Sequence, residues 1–591
     1  MLNGFLTRAV ESFLGLRPMA QDLIDPAIQE AKARPTVQIH LPGGRVLEGE
    51  RGLQLAAFLE QEDLETAPIV GAIVNGELRE LTYPLALESE VRPVTMAEED
   101  GMRIYRRSLT FLLAAAFEAL FPEARLDVEH SVAHGGYHCH VSGRPQLKTA
   151  ELATLESRMW EMVDQDLPFA KTQVQLPDTI EYFESKGFID KARLLSHRRK
   201  PHMIIYEMGG LRDYHHGYMV PTTGYLRWFA LTATEHGFTL QFPIRSTPTE
   251  LLPPPQYPKL LLTFGQYGDW IQTLGVSSVG ALNDAGQAGR MREIILVSEA
   301  LHEHRIAEIA AQIQEKRDGV RLVLVAGPSA SGKTTFAKRL SIQLLALGIS
   351  PLPIGLDNFF VDREKTPRDE NGEYDYERLD ALDLDRLNHD MRKLAAGERV
   401  QLPEYDFIEG VQRDGEVVQI SEGHIVILEG IHGLNPDLLP ELPEGQGFRI
   451  YASALTQLNL DRYNRVSTTD TRLVRRLVRD ARHRGKSAAD TISRWESVRL
   501  GERLYILPYQ ENADVMFNSS LVYEGAALAP LAEPLLRQVK FGTPEHVEAK
   551  RLLSLLEWFL PIDDSPIPDN SILREFIGGS ILRDFTVGGT S

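Results

Sequence analysis

A multidomain chain combining α/β and α+β units is predicted, with a parallel sheet flanked by helices in its C-terminal half. Three patterns lead there. Leu322-Val323-Leu324-Val325-Ala326 is an apolar, β-branched run that reads as a buried strand; it enters the glycine loop Gly327 to Thr334, and Thr335 to Leu347 then reads as a helix stopped by Gly348. Two further apolar runs, Ile354 to Asp357 and Ile425 to Glu429, each end in an acid, as strands do where an open parallel sheet meets its ligand crevice. Before residue 241 the pattern changes to short alternating runs punctuated by glycine turns, which points to smaller α+β units. A length of 591 residues with 43% hydrophobic content allows roughly three to four such cores.

Taken in order, residues 1–35 read as an N-terminal extension, a short amphipathic stretch interrupted by Arg8, Glu11 and Arg17 and unlike a secretion signal. Residues 36–98 contain a hairpin, Val37 to Leu41 and Arg45 to Glu48 around Pro42-Gly43-Gly44, then a helix over Leu53 to Leu59. A second hairpin joins Ile69 to Val74 with Glu77 to Leu81 through Asn75-Gly76, a dipeptide that tolerates the positive φ angles of a type I′ turn. Together they make a small β-grasp-like unit. A second unit spans 99–240, and Pro253-Pro254-Pro255 marks a break inside a helical connector, 241–320. The phosphate-loop unit occupies 321–535, and 536–591 reads as a helical tail with segments at His546 to Phe559 and around Ile572 to Phe576.

The chemistry sits in the second half. Gly327-Pro328-Ser329-Ala330-Ser331-Gly332-Lys333-Thr334 matches G-x-x-x-x-G-K-[ST] between a strand and a helix. Glycines let backbone N–H groups close around phosphate oxygens, and the positive helix end points at the same anion. Lys333 would reach the β- and γ-phosphates, the Thr334 hydroxyl would ligate Mg²⁺, and Thr335 extends the nucleotide-binding set. Asp357, one strand later, would stand beside the γ-phosphate as general base or metal ligand, against the plainer reading of a turn or N-cap aspartate. Glu429 reads as the second acid, which makes Thr334, Asp357 and Glu429 the expected metal set. Arg472, Arg475, Arg476 and Arg479 share one helix face opposite Leu473, Val474, Leu477 and Val478, with Arg482, Arg484 and Lys486 beyond. Such a face is either a solvated surface or a lid that neutralises phosphate charge, and the phosphate loop favours the lid.

Composition limits the alternatives. A net charge of −20 argues against a general nucleic-acid-binding surface, and Cys139, the only cysteine, rules out an intramolecular disulfide and suits a reducing cytoplasm. No apolar run approaches the roughly 18 residues of a membrane span. His130 and His134, with His138 and His140 behind, imitate a zinc pair, yet Gly135-Gly136 places them in strand and turn rather than on a helix.

With these motifs in place, 321–535 resembles the uridine kinase and phosphoribulokinase family. The likeness rests on the phosphate loop, Asp357-Asn358-Phe359-Phe360, Tyr374-Asp375-Tyr376 with Asp380-Ala381-Leu382-Asp383, Pro403-Glu404-Tyr405-Asp406-Phe407, Glu429-Gly430, and Asp470-Thr471-Arg472-Leu473 through Arg479-Asp480. The resemblance implies transfer of the ATP γ-phosphate, with Mg²⁺, to a hydroxyl of a nucleoside or related ribosyl compound. It makes Asp357 the base, assigns Asp380 to the acceptor ribose and Tyr405 and Phe407 to the base pocket, and gives the lid Arg476, Arg479, Arg484 and Lys486. One mark is missing. Where uridine kinases carry a base-reading histidine, three residues after the phenylalanine, this chain has Gly410, so the directed hydrogen bond that gives base discrimination is absent. Another sugar or sugar phosphate is the alternative acceptor.

The N-terminal half resembles threonyl-tRNA synthetases. Val74-Asn75-Gly76-Glu77-Leu78 is similar to their TGS domain, and Asp213 with Val220-Pro221-Thr222-Thr223-Gly224 to their second, editing domain. The editing histidines do not come across: Arg107-Ser108-Leu109-Thr110-Phe111 replaces the H-x-x-x-H pair, and the later Cys and His positions fall on His215 and Met219. The TGS-like unit leaves open an RNA contact or a ribosome-associated regulatory role, and an oligomer is compatible. Guanine reading is not expected, since no Asn-Lys dipeptide occurs in the chain.

Overall fold

The computed structural model describes residues 34–59, 67–132, 134–253, 257–369, 372–421, 423–443, 445–456 and 458–587; residues 1–33, nearly all of the expected extension, lie outside them. The first sheet has five strands in the order Val46–Glu50, Thr36–His40, Ser89–Thr95, Ile69–Val74, Glu77–Glu80. Thr36–His40 and Ser89–Thr95 run parallel, while the other neighbouring pairs are antiparallel. Asn75 and Gly76 take φ of 51° and 81°, the double positive φ that the second hairpin requires. The helix Leu55–Leu59 covers one face and buries Leu55, Phe58 and Leu59 against Val37, Ile39 and Val74.

Helix Glu99–Leu120 follows and runs through the core, with Leu109 to Phe117 all buried. Around it lie a four-stranded antiparallel sheet, Ala230–Thr234, Gly237–Gln241, Gly136–Ser142, Arg125–Val132, and a three-stranded one, Leu211–Asp213, His202–Met208, Ala170–Gln175. His130 therefore lies on a strand and His134 in the turn after it, with φ of 60°. Three helices, Pro258–Leu274, Val279–Gln287 and Met291–Glu315, lead into the second half. Among the described residues no helix is long and apolar enough to cross a membrane.

The C-terminal half is built on five parallel strands in the order Ser350–Gly355, His424–Glu429, Leu322–Ala326, Gly447–Ser453, Val515–Asn518. Side chains alternate across it, as the two-residue period of a strand demands. Val323 and Val325 face a core shared with helix Lys333–Ala346, through Phe336 and Leu340, and with the N-terminal half. Leu322 and Leu324 face the opposite core, with Leu387 and Leu394. A fully buried strand such as Leu322–Ala326 can afford no polar residue, which is why its sequence is an unbroken apolar run.

The two halves are joined by charge as well as apolar packing. Lys191, fully buried, places Nζ 3.0 Å from both Asp213 and Asp461, and Asp461 also accepts hydrogen bonds from the Tyr214 hydroxyl (2.8 Å) and Asn464 (2.8 Å). Beside them Arg462 pairs with Asp190 at 2.6 Å. Deleting one partner of such a cluster strands the others without water or counter-charge. Lys191→Met is expected to destabilise the full chain by about 3–5 kcal/mol, read as a lower denaturant midpoint.

Candidate active site

Two left-handed residues shape the phosphate loop. Ala330 and Gly332 hold φ of 58° and 84°, a succession that turns backbone N–H groups toward one concavity. Gly327 is needed for another reason: a Cβ there would stand 1.9 Å from the carbonyl oxygen of Ala452 on the neighbouring strand. Lys333 opens the helix, and its Nζ lies 3.3 Å from the Pro328 carbonyl and 3.9 Å from Glu429. The Thr334 hydroxyl donates to Glu429 at 3.0 Å.

Sheet register sets the place of Glu429. It pairs with Val325 on one side and Gly355 on the other, between the strand that feeds the phosphate loop and the strand that feeds Asp357. Asp357 itself is not a strand residue. The strand stops at Gly355, and Leu356–Phe359 forms a single 3₁₀ turn pinned by buried Leu356 and Phe359, which leaves the Asp357 carboxylate open to the cleft. Enclosure by the cleft raises the Asp357 pKa, with Lys333, Arg484 and Arg479 acting the other way. Desolvation pushes Glu429 up to about 7; Lys333 opposes this and Asp357 adds to it.

The arginine helix, Thr468–Arg484, divides its charges in a way that periodicity does not anticipate. Arg475 is fully buried and donates to Glu524 (2.6 Å) and the Ser519 carbonyl (2.8 Å), while Arg472 donates to Glu502 (2.8 Å) and the Ser329 carbonyl (3.1 Å). These two brace the phosphate loop from behind, so the expected four-arginine lid face is reduced. Glu502 and Glu524, buried across from them, supply the counter-charge that allows this. Arg476 donates to the Ser329 hydroxyl at 2.7 Å, and Arg479 to Asp480 at 2.8 Å. Arg484 lies 3.7 Å from the same buried Asp480, and Gly485 (φ 61°) ends the helix just before Lys486. Asp480 thus gathers Arg476, Arg479 and Arg484, a positioning role the arginine spacing alone does not reveal.

On the acceptor side, Tyr405 stacks edge-on with Phe360 (5.6 Å) and Phe407 (5.1 Å), and Phe360 with Tyr376 (5.5 Å). Asp380 is paired locally: Arg378 grips it through two hydrogen bonds of 2.8 and 2.7 Å, and its side chain is 57% exposed. The acid that faces the site is Glu377. Burial and Glu502 push its pKa up to about 7, with Arg476 and Lys333 opposing and Asp357 adding. In an acid-rich stretch nothing in the sequence separates Glu377 from Asp375 or Asp380; the distinction is one of side-chain direction. Gly410 has φ of 76°, and a Cβ there would lie 2.5 Å from the Arg363 guanidinium, which spans this turn and donates to the Phe407 carbonyl at 2.8 Å.

The N-terminal positions are filled by other groups. Arg107 donates to the Tyr218 carbonyl at 2.6 Å, Ser108 lies 3.4 Å from the Met219 sulfur, and His215 is buried with its pKa driven down by desolvation. His130 stacks on His138 (5.0 Å) and Phe264 (4.0 Å), and among the described residues no three His, Cys, Asp or Glu side chains are grouped to hold a metal.

The raised Glu429 pKa gives a measurable consequence. Because the folded value lies above the ordinary 4.5, ionising this carboxylate costs stability that grows from about pH 4.5 to about 7 and is complete above that. Glu429→Gln in metal-free protein is therefore expected to melt higher than the parent at about pH 8, with the difference vanishing near pH 4.5 in a pH series of thermal unfolding.

Residues 322–523 match the family described as Phosphoribulokinase / Uridine kinase. The N-terminal region is similar to threonine–tRNA ligases. That of Lawsonia intracellularis is 28% identical over 168 residues, 28% of this chain and 26% of that protein. That of Desulforamulus reducens is 29% identical over 195 residues, 32% of this chain and 30% of that protein. The chain thus spans about a quarter to a third of the length of these relatives. A solved structure described as a possible uridine kinase from Bacillus stearothermophilus is 22% identical and covers 35% of this chain and 99% of that one, with a TM-score of 0.23. Residues 322–523, which carry the phosphate loop and the parallel sheet, form a domain of the phosphoribulokinase and uridine kinase family, joined to a threonine–tRNA ligase-like N-terminal region.

Proposed function

We propose that this chain transfers the γ-phosphoryl group of ATP to a hydroxyl of a nucleoside or related ribosyl compound. The observation that carries this reading is the convergence of Lys333, Thr334, Glu429 and Asp357 at the mouth of one anion cradle. Loop N–H groups and Lys333 bind the triphosphate, and the Arg476, Arg479 and Arg484 group held by Asp480 neutralises charge spreading over the transferred oxygens. Asp357, with a raised pKa and an open carboxylate, takes the proton from the attacking hydroxyl. Thr334 and Glu429 offer hard oxygen donors that would hold Mg²⁺, whose positive charge would offset that of the triphosphate. Glu377, rather than Asp380, holds the acceptor's hydroxyls, and Tyr405 and Phe407 give it an aromatic wall. Gly410 and the Arg363 guanidinium across it favour a second reading, in which a sugar or sugar phosphate replaces the nucleoside.

A panel of nucleosides, sugars and sugar phosphates with MgATP, read by product mass, separates the two acceptors. Asp357→Asn is expected to lower kcat by about 10²–10⁴ while nucleotide affinity is kept; wild-type turnover in that variant removes the proposed base. In the same assay Glu377→Gln should raise the acceptor KM and Asp380→Asn should leave it near the parent value. The reverse order would return the acceptor to Asp380.

A further inference from the structure

The C-terminal segment lies across the phosphate loop at its helix end. Thr335 is the third residue of helix Lys333–Ala346, so its N–H has no partner inside the helix. A tail residue takes that donor: the Glu575 carboxylate accepts from the Thr335 hydroxyl at 2.7 Å and from its backbone N–H at 3.4 Å.

The segment is anchored on both sides of this contact. Ile572 packs on Gly332, where a Cβ would stand 2.5 Å from its methyl group, so the tail touches the loop's last glycine. Lys338, one turn along the same helix, donates to the carbonyls of Leu582 (2.7 Å) and Arg583 (2.8 Å). On the far side Phe576 lies under the Arg475 guanidinium (5.1 Å), and Gly578, with φ of 85°, lets the chain pass against Arg482. Residues 571–583 therefore bridge the phosphate-loop helix and the arginine helix.

An anionic oxygen on the free N–H groups of a helix start is what a bound phosphate would also supply. We propose that residues 571–583 are a strap that competes with the nucleotide, with Glu575 occupying at Thr335 the donors that a triphosphate needs. Charge makes the two occupants exclusive. A carboxylate and a phosphate cannot share one N–H and one hydroxyl. Nucleotide entry displaces Glu575, and the tail's anchors on the arginine helix carry that displacement to the groups that neutralise the transferred phosphate. The strap rests on the nucleotide-binding reading given above.

Two measurements on the full chain test it. Glu575→Gln keeps the side-chain shape and removes the charge, and ATP titration should show affinity tightened about fivefold, the difference between a charged and a neutral hydrogen bond at one donor pair. Equal or weaker affinity overturns the proposal. In the wild-type protein, hydrogen exchange over 571–583 should quicken when a nonhydrolysable ATP analogue is added, and unchanged or slower exchange overturns it equally. A wild-type protein that binds no nucleotide would sink the functional reading itself, whereas wild-type binding without tightening in the variant sinks the strap alone.

Discussion

Everything at this site hangs on the register of three parallel strands. Pairing Val325 with Glu429, and Glu429 with Gly355, brings one acid between the phosphate loop and the turn that carries Asp357. A slip of one residue would send Glu429 to the opposite face of the sheet, since strand side chains alternate. The apolar core on both faces resists that slip: Val323 and Val325 fill one side, Leu322 and Leu324 the other. The geometry of the candidate site is thus a by-product of hydrophobic packing.

Around that register the protein concentrates opposing charge. Asp357, Glu377 and Glu429 all have raised pKa values from loss of water; Asp357 adds to the shift of the other two, and Lys333 opposes the shift in each. The arginines are sorted by their partners. Glu502 and Glu524 hold Arg472 and Arg475 behind the loop, while Asp480 leaves Arg476, Arg479 and Arg484 grouped at the cleft. One helix therefore serves both as scaffold and as a source of positive potential.

The fusion is built into the fold. Asp461 and Arg462 lie in the segment between strand Gly447–Ser453 and the arginine helix, and they are bonded to Lys191 and Asp190 of the N-terminal half. That segment cannot move without breaking a buried ionic cluster, so the kinase sheet and the synthetase-like sheets share one mechanical support. Within the N-terminal half, Arg107 meanwhile donates to the Tyr218 carbonyl and Ser108 meets the Met219 sulfur, which ties the long core helix to that later segment.

Much of this was legible in the residues because it is local. A glycine loop between an apolar run and a helix, an Asn-Gly hairpin and an acid at the end of a buried strand each write their geometry into a few neighbouring positions, through φ preference, side-chain period and hydrogen-bond need. Side-chain direction was not local. Whether Glu377 or Asp380 faces the cleft depends on Arg378 gripping the latter, and whether Arg475 is a lid or a brace depends on Glu524, far along the chain. The Glu575 contact with Thr335 likewise joins positions far apart in the chain. Short-range sterics and periodicity read out from composition and order, but pairing among charges is settled by whichever partner the folded chain brings within reach, and that choice exists only once the chain has closed on itself.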